Sequence, residues 1–302
     1  MNASQATHQS TSTSRHLPQV MRKHPLFSFF FIAYAFSWIV SIPYVLSVWG
    51  SWSGDFTLVF VVKSFGPTVA AIVMIRLIDG PAGVLRLRQS IRQWRVGRQW
   101  YLFTLVGIPA LLLLGIIVQP GSLAGFQGLT PQLLVSYATY FILVFFGGGP
   151  LGEEPGWRGF ALPRLQTRYG PLWGTLLLSV GWCFWHLPDF LTPAQGGGPG
   201  VGVVTILTNL ALFLLLVTAL AMIFTWVFNR TGDSVFVAIV LHAGVNTPQL
   251  TVVPLFPAVD VTGLNLAALI GFGVMALLIL IVTRGRLGYE PDQTASLNKD
   301  AR

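Results

Sequence analysis

The sequence predicts an all-α, polytopic membrane protein, a bundle of about eight transmembrane helices, and three observations predict it. Hydrophobic residues make up 53% of the 302 and charged residues only 9%, where a soluble domain carries about 25%. Apolar runs long enough to cross a hydrocarbon layer of about 30 Å recur along the chain, and mean hydropathy is +0.68. Lys and Arg then sort to alternate sides of those runs. A single cysteine, Cys183, excludes an internal disulfide and any cysteine-based zinc cluster. A net charge of +8 fits the basic cytoplasmic loops of a membrane protein, so no nucleic-acid partner is expected.

Residues 1–25 are rich in Ser, Thr and Gln, hold Arg15, Arg22 and Lys23, and read as a disordered cytoplasmic tail without a cleavable signal peptide. His8, His16 and His24 fall in it, solvent-exposed. A transmembrane domain over 26–285 follows, then a second cytoplasmic tail over 286–302. Its spans run over 26–48, 58–78, 100–118, 132–152, 171–190, 202–228, 234–254 and 264–283. Between the second and third, Arg86, Arg88, Arg92, Arg95 and Arg98 interleave with Leu85, Leu87, Ile91, Trp94 and Val96. That pattern is a basic interfacial segment lying on anionic headgroups, with membrane lipid as its partner. With the amino terminus in the cytoplasm, the outer segments 49–57, 119–131, 191–201 and 255–263 hold no Lys or Arg. Both termini are therefore expected on the cytoplasmic side, in the cell membrane. Only Lys63 and Arg76 fall inside a span. The fourth span looks broken, with Gly147-Gly148-Gly149-Pro150 before its acids and Pro155-Gly156 after them. Beyond it, Arg164 and Arg168 with Phe160, Leu162 and Leu165 suggest a short amphipathic turn. No internal repeat and no second, soluble domain is visible.

The chemistry-bearing residues sit where charge is expensive. Glu153, Glu154 and Arg158 follow the apolar run 137–146, and a charge at mid-membrane costs roughly 2.5–3.5 kcal/mol. On a helix Arg158 shares a face with Glu154, four residues away, while Glu153 is left without an obvious partner. The asymmetry suggests one supported carboxylate beside one working carboxylate. An ion cluster that only caps a helix end in headgroup water is the alternative. His186 lies four residues after Trp182, and His242 and Asn246 stack on one helical face. A lone intramembrane histidine is more often a hydrogen-bonded packing residue. Three spans each offering such groups, on a chain with ten acids, point instead to one site. Asp189 and Asn209 are weaker candidates, with Asp189 read as interfacial.

The order Glu153-Glu154-x-x-x-Arg158, Trp182-x-x-x-His186, His242-x-x-x-Asn246 resembles the CPBP intramembrane proteases, which include the type II CAAX prenyl endopeptidases and bacterial Abi-type members. The resemblance covers roughly 100–285. Two features depart from the usual pattern: Trp182 stands where Phe is commoner, and Pro155-Gly156 replaces a helix-forming pair, which puts helix continuity in question. The resemblance implies an endopeptidase acting on a membrane-associated protein or peptide, CAAX-type and prenylated in some members. It implies that Glu153 and His186 activate a water, that His242 and Asn246 bind the oxyanion, that Glu154 and Arg158 are a structural ion pair, and that Trp182 is an aromatic wall. No cofactor is favoured. A metalloprotease with zinc on Glu153, His186 and His242 is the alternative. An ion- or proton-coupled transporter and a non-enzymatic membrane partner compete with the enzyme reading. One difficulty is depth. Glu153 falls near the cytoplasmic end of span four, whereas His186 lies fifteen residues, about 22 Å, past Pro171. Either span five begins in the cytoplasm, or the broken part of span four lies inside the membrane.

Overall fold

A bilayer offers no water to backbone N–H and C=O groups, so long apolar runs fold as helices that satisfy themselves. A computed structural model describes residues 19–290, and among these no strand occurs. The tail expected over 1–25 lies mostly outside the described residues, as do His8, His16 and 291–302; residues 19–23 are already helical, and His24 is exposed.

The helices follow the apolar runs. α1 is Pro25–Val48, α2 Thr57–Lys63 and α3 Gly66–Ile78. The basic segment begins as α4, Gly80–Ile91, with Leu87 buried and all five arginines exposed. α5 is Arg98–Ile117, α6 Gln132–Phe146, α7 Gly149–Tyr169 and α8 Pro171–Trp185. α9 is Val203–Arg230, α10 Val235–Thr251 and α11 Val261–Thr283. Among the described residues six helical segments, with α2 and α3 counted as one, are long and apolar enough to cross a membrane, and the bent α6–α7 pair would make seven.

The count falls below eight for a physical reason. α8 stops after 15 residues, about 22 Å, short of the hydrocarbon thickness. Leu187 precedes Pro188, which disfavours the α conformation, and the chain tightens into a short turn over Leu187–Leu191.

The fourth span breaks where its glycines predict. α6 ends at Phe146, Gly148 takes φ +117°, and α7 restarts at an angle of 47°. From there the helix is continuous. Pro155 removes the donor that Leu151 would use, and Thr68 Oγ1 donates to the Leu151 carbonyl instead, at 3.4 Å. A π turn over Trp157–Ala161 absorbs the irregularity. The expected amphipathic turn at 160–168 is thus the second half of α7. Gly148, Gly152 and Gly156, one turn apart, press this face against the α2–α3 junction. A Cβ would lie 2.8 Å from Val61 at Gly148, 2.5 Å from the Ser64 carbonyl at Gly152 and 2.4 Å from Pro67 at Gly156. On the other side, Phe29 of α1 packs on Trp157 and Phe160, with ring centres 5.6 Å and 5.0 Å away.

Candidate active site

α7 and α8 form a hairpin about Gly170, and the hairpin resolves the depth difficulty. Glu153 stands seventeen residues before Gly170 and His186 sixteen after it. Antiparallel packing therefore brings both to the end away from the turn. Gly174 lies against Leu165 and Gln166 near that turn, and Trp185 packs on Trp157 toward the far end, with ring centres 5.9 Å apart. α10 supplies His242 and Asn246 to the same place. Glu153, Trp182, His186, Asp189, His242 and Asn246 line one cavity of about 580 Å³, with Leu112, Phe213 and Phe272 in its apolar wall.

Glu154 is fully buried. Its Oε1 accepts from Arg158 Nη1 at 3.0 Å and from His242 Nδ1 at 2.7 Å. Arg158 is equally buried, and its guanidinium lies 4.5 Å from the ring centre of Trp182 and 4.3 Å from that of Phe224. Cation–π contact of this kind suits arginine, and here it compensates in part for Nε and Nη2, which have no hydrogen-bond partner among the described residues. The expected Glu154–Arg158 pair is thus a triad that also holds His242. A carboxylate oxygen only accepts, so His242 carries a hydrogen on Nδ1, and Nε2 donates only when the ring is an imidazolium.

Glu153 has partners the sequence did not suggest. Trp157 Nε1 donates to its Oε2 at 3.2 Å and Trp182 Nε1 to the same oxygen at 2.9 Å. Neither indole engages Oε1. Trp182 therefore supplies a donor as well as an aromatic wall. Trp157 lies four residues from Glu153, the spacing that pairs Arg158 with Glu154, so this contact was legible in retrospect.

His186, just past the end of α8, gives Nδ1 to Asp189 Oδ2 at 2.7 Å, and Asp189 Oδ1 pairs with Lys63. Asp189 is 4% exposed and is not the interfacial residue expected. Asn209 stays apart from the acids: its amide donates to the Gln195 carbonyl and its oxygen accepts from Thr262. Glu153, His186 and His242 share the cavity, yet among the described residues no three His, Cys, Asp or Glu side chains gather closely enough to hold a metal ion. Each histidine has one nitrogen committed to a carboxylate, and Glu153 has one oxygen committed to two indoles.

Residues 135–248, which include all seven motif positions, match the family model described as type II CAAX prenyl endopeptidase Rce1-like. The chain is also similar to a CAAX prenyl protease 2 from Methanococcus maripaludis, 29% identical over 147 residues, 47% of this chain and 52% of the relative. The chain thus spans about half the length of that curated relative. The three motifs that meet in one cavity thus lie within the stretch, residues 135–248, that is similar to the Rce1-like type II CAAX prenyl endopeptidases.

Proposed function

We propose that the chain is an intramembrane endopeptidase that hydrolyses a peptide bond of a membrane-associated substrate. The names of the family model and of the relative suggest a CAAX-type, prenylated protein as the substrate class. The observation that carries this reading is the meeting of Glu153, His186, His242 and Asn246 in one cavity with a mostly apolar wall.

In the mechanism these residues support, a water sits between Glu153 and His186. Glu153 takes one of its protons while Nε2 of His186 accepts a hydrogen bond from the other hydrogen. The water oxygen bonds to the carbonyl carbon, and the carbonyl π electrons move onto oxygen. Asn246 Nδ2 donates to that oxyanion. His242 Nε2 also donates when its ring is an imidazolium, a form stabilised by Glu154 at Nδ1. The tetrahedral species then collapses, the C–N bond breaks, and the leaving amine takes the proton that Glu153 held. Arg158 compensates the charge of Glu154 and so keeps His242 in place. The zinc alternative would use the same Glu153, His186 and His242.

The arginines exposed on and after α4 support contact with anionic lipid headgroups, and the loop charges support cytoplasmic termini in the cell membrane. Purified protein in lipid nanodiscs, given a farnesylated CAAX peptide, its unprenylated form and a transmembrane peptide, tests the reading. Cleavage of the farnesylated peptide at a defined bond is expected. No cleavage of any of the three, together with proton or ion flux in proteoliposomes, would favour a transporter built on the same cluster.

A further inference from the structure

Lys63 is a buried cation that the mechanism above does not use, at the end of an apolar helix where charge is costly. α2 stops at Lys63, and the chain turns through Ser64-Phe65 before α3 begins. The junction is fixed from two sides. Ser37 Oγ of α1 donates to the Lys63 carbonyl at 2.7 Å, and Gly152 of α7 lets the helix backbone lie against Ser64. The Lys63 ammonium pairs with Asp189 Oδ1 and lies 5.1 Å from the ring centre of Trp185. Asp189 is held by its backbone as well. Its N–H donates to the His186 carbonyl at 2.9 Å, and Thr192 Oγ1 donates to the Asp189 carbonyl at 2.8 Å. The outcome is a buried chain, Lys63–Asp189–His186, whose last member lines the cavity it shares with Glu153.

We propose that Lys63 and Asp189 are positioning residues for His186. Because Asp189 Oδ2 only accepts, the His186 hydrogen stays on Nδ1, and Nε2 is the nitrogen left to accept from a water. Lys63 occupies Oδ1, so the carboxylate cannot turn away from the ring. Neither residue needs to touch substrate. Their loss would leave the ring free to take the other tautomer, with a hydrogen on Nε2 where an acceptor is required. The role of His186 rests on the endopeptidase reading, whereas the tautomer is a property of the resting protein.

The test uses full-length protein in nanodiscs, with histidine labelled at the ring nitrogens and His186 assigned from a His186→Gln difference spectrum. The nitrogen shifts of wild type should report a hydrogen on Nδ1, and Asp189→Asn should shift the population toward Nε2–H. With a farnesylated CAAX peptide as probe, Asp189→Asn should lower kcat by about 10²–10⁴-fold with KM changed less than about threefold. Lys63→Met should lower kcat less, Lys63→Arg should retain most of the turnover, and the Lys63→Met/Asp189→Asn double variant should be no worse than Asp189→Asn alone. Should Asp189→Asn fail to fold, the two Lys63 variants carry the same test. A kcat for Asp189→Asn within about threefold of wild type, or an unchanged His186 tautomer, overturns the proposal. A wild type that cleaves no peptide would remove the endopeptidase reading, while the nitrogen shifts would still decide the tautomer.

Discussion

Two histidines reach the cavity through the same chemical device, a ring Nδ1 bonded to a carboxylate that is in turn paired with a cation. In the core the chain is His242–Glu154–Arg158; at the end of α8 it is His186–Asp189–Lys63. The first is the more enclosed, with side-chain exposures of 7% for His242 and 0% for Glu154 and Arg158, against 18% for His186 and 5% for Asp189 and Lys63. They also differ in origin. Glu154 and Arg158 are neighbours on one helix, while Lys63 and Asp189 are 126 residues apart and meet only after folding. A helix-encoded pair needs only α7 to be formed, whereas the long-range pair needs the end of α2 and the turn after α8 to have met. Between the two lies Glu153, held by neutral indole donors instead of a cation.

The comparison breaks most sharply at Glu154. Glu154→Gln leaves the fully buried Arg158 without its anion and should lower stability by about 3–5 kcal/mol, measured by unfolding in detergent micelles. Asp189→Asn should cost less, on the order of 1.5–3 kcal/mol, because lysine sheds its proton more readily than arginine when a buried partner is lost. Equal losses would mean that the two chains are energetically alike. Asn246→Ala probes the oxyanion side of the cavity without touching either chain. It should lower kcat by roughly 10²–10³-fold with little change in KM, and unchanged turnover would remove Asn246 from the mechanism. The smallest effect belongs to Trp182→Phe, which keeps the ring beside Arg158 and deletes one donor to Glu153. A neutral hydrogen bond of about 1 kcal/mol sets the change in kcat/KM at about tenfold or less, and a larger loss would show that Glu153 depends on that indole.

Much of the geometry of the candidate site was legible in the sequence because its parts are local. The spacing of Glu154 and Arg158, and of His242 and Asn246, follows from one helical turn, and the structure shows these pairs on α7 and α10. The glycines at 147 and 148 marked the break before α7 through their backbone freedom. Continuity through Pro155 was not legible. It depends on Thr68, from another helix, replacing the lost donor, and on a π turn that no periodicity marks. Nor was the burial of Asp189, since hydropathy reads the loop after α8 as interfacial and cannot see Lys63 arriving from α2. The count of eight spans assumed that an apolar run sets helix length, and Pro188 ends α8 before its apolar run does.

The account turns on Glu153 as the group that activates water. The most direct measurement is turnover of a farnesylated CAAX peptide by wild type and Glu153→Gln, side by side in nanodiscs and with a metal chelator present. The account predicts that wild type stays active in chelator while Glu153→Gln, folded to the same melting profile, loses at least about 10²–10⁴-fold, because an amide cannot take the proton. A Glu153→Gln variant that keeps turnover within tenfold of wild type, or a wild type silenced by chelator and restored by zinc, would contradict it.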